Sequence, residues 1–66
     1  MSFVSARESA GLSQRAAAQR LGVNQSSVCF WETGRYFPRA SMLVKMAELY
    51  GCTIDELLGR EPKSSA

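Results

Sequence analysis

Residues 12–34, with the sequence LSQRAAAQRLGVNQSSVCFWETG, constrain the fold of this chain more than any other segment. Ser13 precedes a run of helix-forming residues, and a serine hydroxyl there can accept a hydrogen bond from a backbone N–H of the first turn. Asn24 is placed to cap a second run in the same way. Gly22 and Gly34 each follow such a run, where a helix needs a left-handed residue to end. The segment therefore predicts two short helices joined by a tight turn.

The same signals divide the rest of the chain into further short helices. Apolar residues recur at helical spacing in each segment, and each segment is followed by a glycine. The predicted helices cover residues 2–10, 14–21, 25–33, 40–50 and 54–58. Because no segment alternates strictly enough to be a strand, the predicted fold class is all-α, a compact five-helix bundle. Helices 2 and 3, with the tight turn between them, form a predicted helix-turn-helix.

The length of 66 residues allows one small domain, which we place at residues 1–59. Residues 60–66, REPKSSA, are polar and contain a proline, so we expect a disordered tail. The predicted core comprises Phe3, Ala6, Ala17, Ala18, Leu21, Val23, Val28, Trp31, Leu43, Met46, Ala47, Tyr50, Ile54, Leu57 and Leu58. Since a core in so short a chain is only marginally stable, association with a second copy is favoured on stability grounds.

The composition argues against several classes of function. The chain has no histidine and no phosphate-binding loop, and Cys29 and Cys52 lack the spacing of a metal or redox site. We therefore expect no enzymatic activity, no metal and no cofactor. No apolar run approaches the length of a membrane span and the N-terminus lacks the order of a secretory signal, so we expect a cytoplasmic protein without a membrane partner. A chain this short has no ligand-sensing domain, so we expect no small-molecule ligand.

The basic residues are concentrated in the part that contains the helix-turn-helix. Residues 1–47 hold six bases and two acids, whereas residues 48–66 hold two bases and four acids. The first part therefore has a balance of +4 and the second a balance of −2, which together give the net charge of +2. This asymmetry indicates a polyanion partner at the basic end, and scatter in a small sample is the alternative.

The outward face of helix 3 contains the candidate base contacts. We expect Gln25, Ser26, Cys29 and Phe30 to point away from the core. An α-helix fits the major groove of DNA, where a glutamine can bond to adenine and an aromatic ring can touch a thymine methyl. Ser27 is a short donor and acceptor that suits a phosphate. The alternative is a solvated helix face, which is unfavourable for neighbouring phenylalanine and cysteine side chains.

Four further residues are candidate phosphate contacts. Gln14 begins helix 2, whose amino end presents free backbone N–H groups and the positive end of the helix dipole. Arg35, Tyr36 and Arg39 lie in the loop after helix 3, so their donors flank that helix. For each of the four, the alternative is an ordinary solvated residue.

The order and spacing of these features resemble the lambda-repressor-like family of helix-turn-helix domains, which includes Cro, the phage repressors and XRE-type regulators. The matching segments are Arg7, GLSQ at 11–14, Ala18, LGV at 21–23, NQSS at 24–27, WETG at 31–34, Pro38 and YGCTIDELLG at 50–59. Each segment is common by itself, and their combined order is specific. The resemblance covers about residues 3–59, nearly the whole chain.

The resemblance implies the family's roles for the matching positions. Gln14 would contact phosphate, the outward face of helix 3 would contact bases, and residues 35–39 would touch the DNA backbone. It also implies a partly buried ion pair between Arg7 and Glu32 that joins helix 1 to helix 3. A carboxylate that turns toward the core beside Trp31 needs a partner, and a bidentate arginine is the best one.

We therefore expect a sequence-specific DNA-binding transcriptional regulator, a repressor that occupies its operator as a homodimer. Two copies of helix 3 about 34 Å apart would contact half-sites one helical turn apart on double-stranded DNA. Ile54, Leu57 and Leu58 are the candidate dimer interface, and an equally good hypothesis is that they only close the core.

The alternative function belongs to a different class. The chain would then be a protein-interaction module, such as the antitoxin of a toxin–antitoxin pair, that binds a protein through Phe30, Trp31 and Phe37. Binding to a partner that is insensitive to salt, without any shift of DNA, would distinguish this alternative.

Overall fold

Helices account for most of the chain in the computed structural model, which describes residues 2–59. In chain order the helices are α1 Phe3–Ser9, α2 Gln14–Leu21, α3 Gln25–Thr33, α4 Ala40–Tyr50 and α5 Ile54–Leu57. The described residues form no strand. These bounds confirm the predicted all-α, five-helix class, with α2 and α3 as the helix-turn-helix. The predicted tail, residues 60–66, lies outside the described residues.

Side-chain caps begin three of the five helices. At the start of α2, the Ser13 hydroxyl accepts a hydrogen bond from the backbone N–H three residues later, at 3.0 Å. Thr53 and Glu56 form a capping box at the start of α5, and Ser2 forms a second one with Ser5 at α1. Each cap satisfies a backbone donor that the first turn of a helix leaves without an intrahelical partner.

The amino end of α3 differs from these three. Asn24 stands at the cap position, but its side chain makes no capping hydrogen bond, so the predicted cap is wrong in this respect. Asn24 is exposed, and water can satisfy its amide there. At their other ends, α2 and α3 stop as predicted at Gly22 and Gly34, whose φ angles of +73° and +80° lie in the left-handed region that favours glycine.

The largest buried cluster draws its residues from α1, α2, α4 and α5, and Val28 of α3 is fully buried as well. α2 packs against α3 and α4, α1 packs against the same two helices, and α5 packs against α4. The buried cluster comprises Ala6, Ala17, Leu21, Leu43, Met46, Ala47, Tyr50 and Leu57. Because Ala6 and Ala17 are fully buried and small, the helices beside them can approach closely.

The margin of the core differs from the prediction. Ile54 is 36% exposed, so its assignment to the core is wrong. α5 is a single turn that presents only one side to the bundle, and Leu57 occupies that side with 1% exposure. Pro38, predicted only as a loop residue, is buried. The predicted core residues that are partly buried at its edge are Phe3, Val23, Trp31 and Leu58.

Candidate nucleic-acid interface

α3 turns one side to the bundle and the other to solvent. Val28 is fully buried, whereas Gln25 and Ser26 in the first turn are exposed. Ser27 and Cys29 are half-buried. The amino end of α3 is therefore the part of this helix that the bundle leaves most accessible, and its accessible side chains are polar.

An ion pair joins α3 to α1. Arg7 Nε donates to Glu32 Oε2 at 2.6 Å, and Arg7 Nη2 donates to Glu32 Oε1 at 3.2 Å. Arg7 Nη1 donates to the Leu12 carbonyl oxygen at 2.7 Å, so all three nitrogens of the guanidinium are used. The two side chains are 11% and 4% exposed. This bidentate geometry holds the carboxylate, and with it the last turn of α3, in one orientation.

Gln14 joins the same network from the start of α2. Its Nε2 donates to Glu32 Oε1 at 2.9 Å, so one carboxylate connects α1, α2 and α3. Gln14 is half-buried, and its amide keeps a second N–H and an oxygen that this bond does not use. A phosphate contact by Gln14 would therefore share the side chain with Glu32.

The network also affects the titrating groups beside it. By accepting hydrogen bonds, the Glu32 carboxylate raises the pKa of Arg7 above its ordinary value. Burial raises the pKa of the Tyr50 hydroxyl above 10.0, and the charge of Glu32 raises it further. Tyr50 is only 6% exposed, and its hydroxyl has no hydrogen-bond partner among residues 2–59. At neutral pH Arg7 is charged and Tyr50 is neutral.

Two loop residues cover the ring of Phe30. The guanidinium carbon of Arg35 lies 5.6 Å from the centre of the Phe30 ring. The Tyr36 ring meets the same ring edge-on, with a centroid distance of 5.2 Å and an interplanar angle of 78°. Phe30 is half-buried as a result, whereas Tyr36 is 60% exposed. Phe30 is thus part of an aromatic–cation cluster and does not stand alone on a solvated face.

The basic residues near the motif are accessible and largely unpaired within the described chain. Arg39 is exposed at the cap position of α4, where its side chain makes no capping hydrogen bond. In residues 2–59 the one salt bridge is that between Arg7 and Glu32. The other exposed cations of the described chain are Arg15, Arg20, Arg35 and Lys45. Their charge is therefore not neutralised by ion pairs with acids of this part of the chain.

The three candidate dimer residues occupy different environments. Ile54 is 36% exposed and Leu58 is half-buried, whereas Leu57 is 1% exposed and belongs to the core. A groove of about 230 Å³ is lined by Leu58 together with Phe3 and Phe37, among other residues. Only Ile54 and Leu58 of the three present side-chain surface to a second molecule.

A family model described as Helix-turn-helix matches residues 5–57, which is most of the chain. The chain belongs to the lambda-repressor-like, XRE-type helix-turn-helix family. The matched range includes α2 and α3 in full. It also includes every candidate base, phosphate and ion-pair residue, from Arg7 to Arg39.

Two curated proteins are similar in sequence to this helix-turn-helix domain. One is the HTH-type transcriptional regulator ImmR of Bacillus subtilis (strain 168), which is 32% identical over 59 residues, 89% of this chain and 46% of the relative. Another is the HTH-type transcriptional activator BcrR of Enterococcus faecalis, 33% identical over 55 residues, 83% of this chain and 27% of the relative. The chain thus spans about half of the first relative and about a quarter of the second. No solved structure gives a significant match.

Three further properties of the helix-turn-helix domain hold for residues 2–59. None of its helices there is long and apolar enough to cross a membrane. No group of three or more His, Cys, Asp or Glu side chains in that range could hold a metal ion. Cys29 and Cys52 are both free thiols and both half-buried.

Sequence reasoning missed three contacts of this helix-turn-helix domain. The Gln14–Glu32 hydrogen bond spans 18 positions, so no local pattern signals it. The bond from Arg7 to the Leu12 carbonyl depends on how the chain turns after α1. The cluster around Phe30 did have a signal, since Gly34 returns the chain toward the last turn of α3.

Proposed function

We propose that this helix-turn-helix domain binds double-stranded DNA and regulates transcription. The observation that carries the proposal is the amino end of α3, which is exposed, polar and without a side-chain cap. An α-helix fits the major groove, where its first residues can reach base edges. The names of the two relatives, a transcriptional regulator and a transcriptional activator, support the same class of function.

The ion-pair network supports a role for α3 in recognition. Contacts with base edges discriminate only when the side chains are held in place, because a helix that moves can adapt to the wrong base. Glu32 connects α3 to Arg7 in α1 and to Gln14 in α2. The network therefore gives α3 a defined orientation relative to both neighbouring helices.

The proposed base contacts lie on the first turns of α3. Gln25 can bond bidentately to adenine through its amide, and Ser26 can donate to or accept from a base. Cys29 lies one turn further along the helix and is small enough to allow close approach. The predicted contact between Phe30 and a base stays a prediction. The Phe30 ring packs against Arg35 and Tyr36 within the domain.

The proposed phosphate contacts flank α3 on both sides. Gln14 and Ser27 lie in the first turns of α2 and α3, where backbone N–H groups and the helix dipole favour an anion. Arg35, Tyr36 and Arg39 are exposed donors in the loop after α3. Such contacts would set the position and register of the domain without distinguishing sequences.

We further propose that the domain acts as a homodimer that represses transcription by occupying its operator. Two copies of α3 about 34 Å apart would contact half-sites one turn apart. Ile54 and Leu58, with the groove beside Leu58, are the proposed surface between the copies. Occupancy alone can block polymerase, whereas activation requires a productive contact with it. Sedimentation with a duplex of known sequence tests the dimer, and two chains per site is the expected result.

The experiment that tests DNA binding is a fluorescence-anisotropy titration at two salt concentrations, about 50 and 200 mM. It compares a duplex selected from a random pool with an unselected one. We expect the logarithm of the binding constant to fall with the logarithm of the salt concentration, by about 0.9 for each phosphate contacted. Arg39→Ala should lower that slope by about one on both duplexes. Lys45→Ala removes an equal charge outside the proposed contacts and serves as the matched control.

A second candidate function is a protein-interaction module such as an antitoxin. The observation that favours it is Phe37, which is 68% exposed beside a groove of about 500 Å³ that Trp31 and Met42 also line. Binding of a protein to this apolar surface would depend little on salt. The same titrations separate the two functions, because absence of binding to both duplexes would contradict the first.

A further inference from the structure

The backbone that follows α3 folds back onto Phe30. The Phe30 carbonyl oxygen accepts hydrogen bonds from the N–H of Arg35 at 2.9 Å and from the N–H of Tyr36 at 3.4 Å. The Thr33 hydroxyl donates to the same oxygen at 3.3 Å. Gly34 allows this return because it adopts a φ of +80°. Residues 35 and 36 are therefore held against the last turn of α3 before any partner binds.

The side chains of the returning residues then meet the ring of Phe30. The Arg35 guanidinium lies over that ring, 5.6 Å from its centre, and Tyr36 packs against it edge-on. A guanidinium within about 6 Å of an aromatic centroid is attracted by the charge distribution of the ring. An edge-on aromatic pair is a favourable arrangement as well. Backbone and side-chain contacts thus agree in fixing this cluster.

Arg35 has no competing ionic partner in the described part of the chain. The one salt bridge within residues 2–59 is that of Arg7 with Glu32, and Arg35 is exposed. Its guanidinium therefore keeps its donors available while its position is restricted by the Phe30 ring. A cation that is restricted before binding loses less conformational entropy when it reaches a phosphate.

We propose that Phe30 is a positioning residue that holds Arg35 beside the carboxyl end of α3, oriented toward a phosphate of the DNA backbone. This inference rests on the proposed DNA-binding function. In this role Phe30 contributes equally to the binding of every DNA sequence, whereas contact with a thymine methyl group would depend on the sequence. Loss of the ring can weaken binding by no more than its attraction for the guanidinium, which corresponds to about a two- to fivefold change in affinity.

The test uses two substitutions of Phe30 that separate the effect of the aromatic ring from the effect of an apolar side chain. Phe30→Leu keeps an apolar side chain that could still touch a thymine methyl, but it has no ring face for Arg35. Phe30→Tyr keeps the ring. Both variants are titrated by anisotropy on a selected and an unselected duplex. Arg35→Ala and the Phe30→Leu/Arg35→Ala double variant are titrated separately on the same two duplexes. Thermal unfolding of each variant verifies that it is folded at the assay temperature.

The expected results distinguish a positioning role from a structural one. Phe30→Leu should weaken binding to both duplexes by about two- to fivefold, and Phe30→Tyr should bind like the wild type. In the Arg35→Ala background, Phe30→Leu should cause no further loss, because the two residues act as a unit. In the free protein, NMR should show an upfield ring-current shift of the Arg35 side-chain protons that Phe30→Leu abolishes.

Several outcomes would overturn the inference while leaving DNA binding intact. A loss with Phe30→Leu on the selected duplex but not on the unselected one would assign Phe30 to base contact. Equal binding by the Leu and Tyr variants, or additive losses in the double variant, would show that the ring does not act through Arg35. If the wild type binds neither duplex, the proposed function fails, and this inference fails with it.

Discussion

Replacing Arg7 with alanine removes three hydrogen bonds at once and leaves a buried carboxylate without its countercharge. Two of those bonds go to Glu32, at 2.6 and 3.2 Å, and the third goes to the Leu12 carbonyl at 2.7 Å. The Glu32 side chain is only 4% exposed, so water cannot replace the guanidinium. Removing one partner of a buried pair costs about 3–5 kcal/mol.

We expect Arg7→Ala to lie at the lower end of that range, at about 3 kcal/mol of unfolding free energy, because Gln14 still donates to Glu32. In a domain of this size such a loss corresponds to a fall in Tm of roughly 12–24 °C. This loss is also a large part of the whole free energy of unfolding, which is about 3–10 kcal/mol for a chain of this length. The loss should therefore be evident in any equilibrium unfolding measurement.

The assay is urea unfolding followed by circular dichroism, together with thermal unfolding. Arg20→Ala is the matched control, because Arg20 is exposed and outside the network, and we expect a change within about 0.5 kcal/mol. Arg7→Lys keeps the charge but not the planar guanidinium, so its free energy of unfolding should lie between those of the wild type and Arg7→Ala. It should fold even if Arg7→Ala does not. Unfolding of Arg7→Ala that coincides with the wild type would refute the argument, since the carboxylate would then be solvated.

Two other substitutions test features of the bundle. Tyr50→Phe removes a buried hydroxyl that has no partner within residues 2–59, so the free energy of unfolding in urea should stay equal or rise by up to about 1 kcal/mol. A loss of more than about 1 kcal/mol would mean that the hydroxyl is hydrogen-bonded. Glu56→Gln tests the capping box of α5. The Thr53 N–H donates to the Glu56 carboxylate at 2.9 Å and lowers its pKa below the ordinary 4.5. The ionised carboxylate therefore stabilises the fold above pH 4.5, and this contribution is lost as the pH falls through the lowered pKa. Tm of the Gln variant should fall less steeply with acid than that of the wild type, and parallel curves would contradict the assignment.

The bounds of the helices were predictable because their signals are local. A glycine after an amphipathic segment, or a serine or threonine before one, acts within one turn of the helix. α2, α3 and α4 accordingly end at the expected residues, each before a glycine, and α2 begins after Ser13 as expected. Asn24 shows the limit of such signals, since its position is that of a cap but its side chain does not form the bond.

The details of the site were less predictable because they depend on packing between distant segments. Periodicity assigns Ile54 to the core, but a helix of one turn can bury only one side, and Leu57 takes it. Likewise, no pattern near Gln14 shows that its amide donates to Glu32, a residue of another helix. The accessible amino end of α3 follows from the sequence, whereas the contacts that hold this helix in place require the three-dimensional structure.

The most direct test of the proposed function is the sequence discrimination that Gln25 provides. In anisotropy titrations on a selected duplex and its single-base-pair variants, Gln25→Ala should cost about 1–3 kcal/mol on the selected duplex. It should abolish discrimination at one base pair and leave binding to an unselected duplex unchanged. Gln19→Ala, at an exposed glutamine of α2 outside the proposed contacts, is the control. Equal losses on selected and unselected DNA, or none on either, would contradict contact between the amino end of α3 and a base.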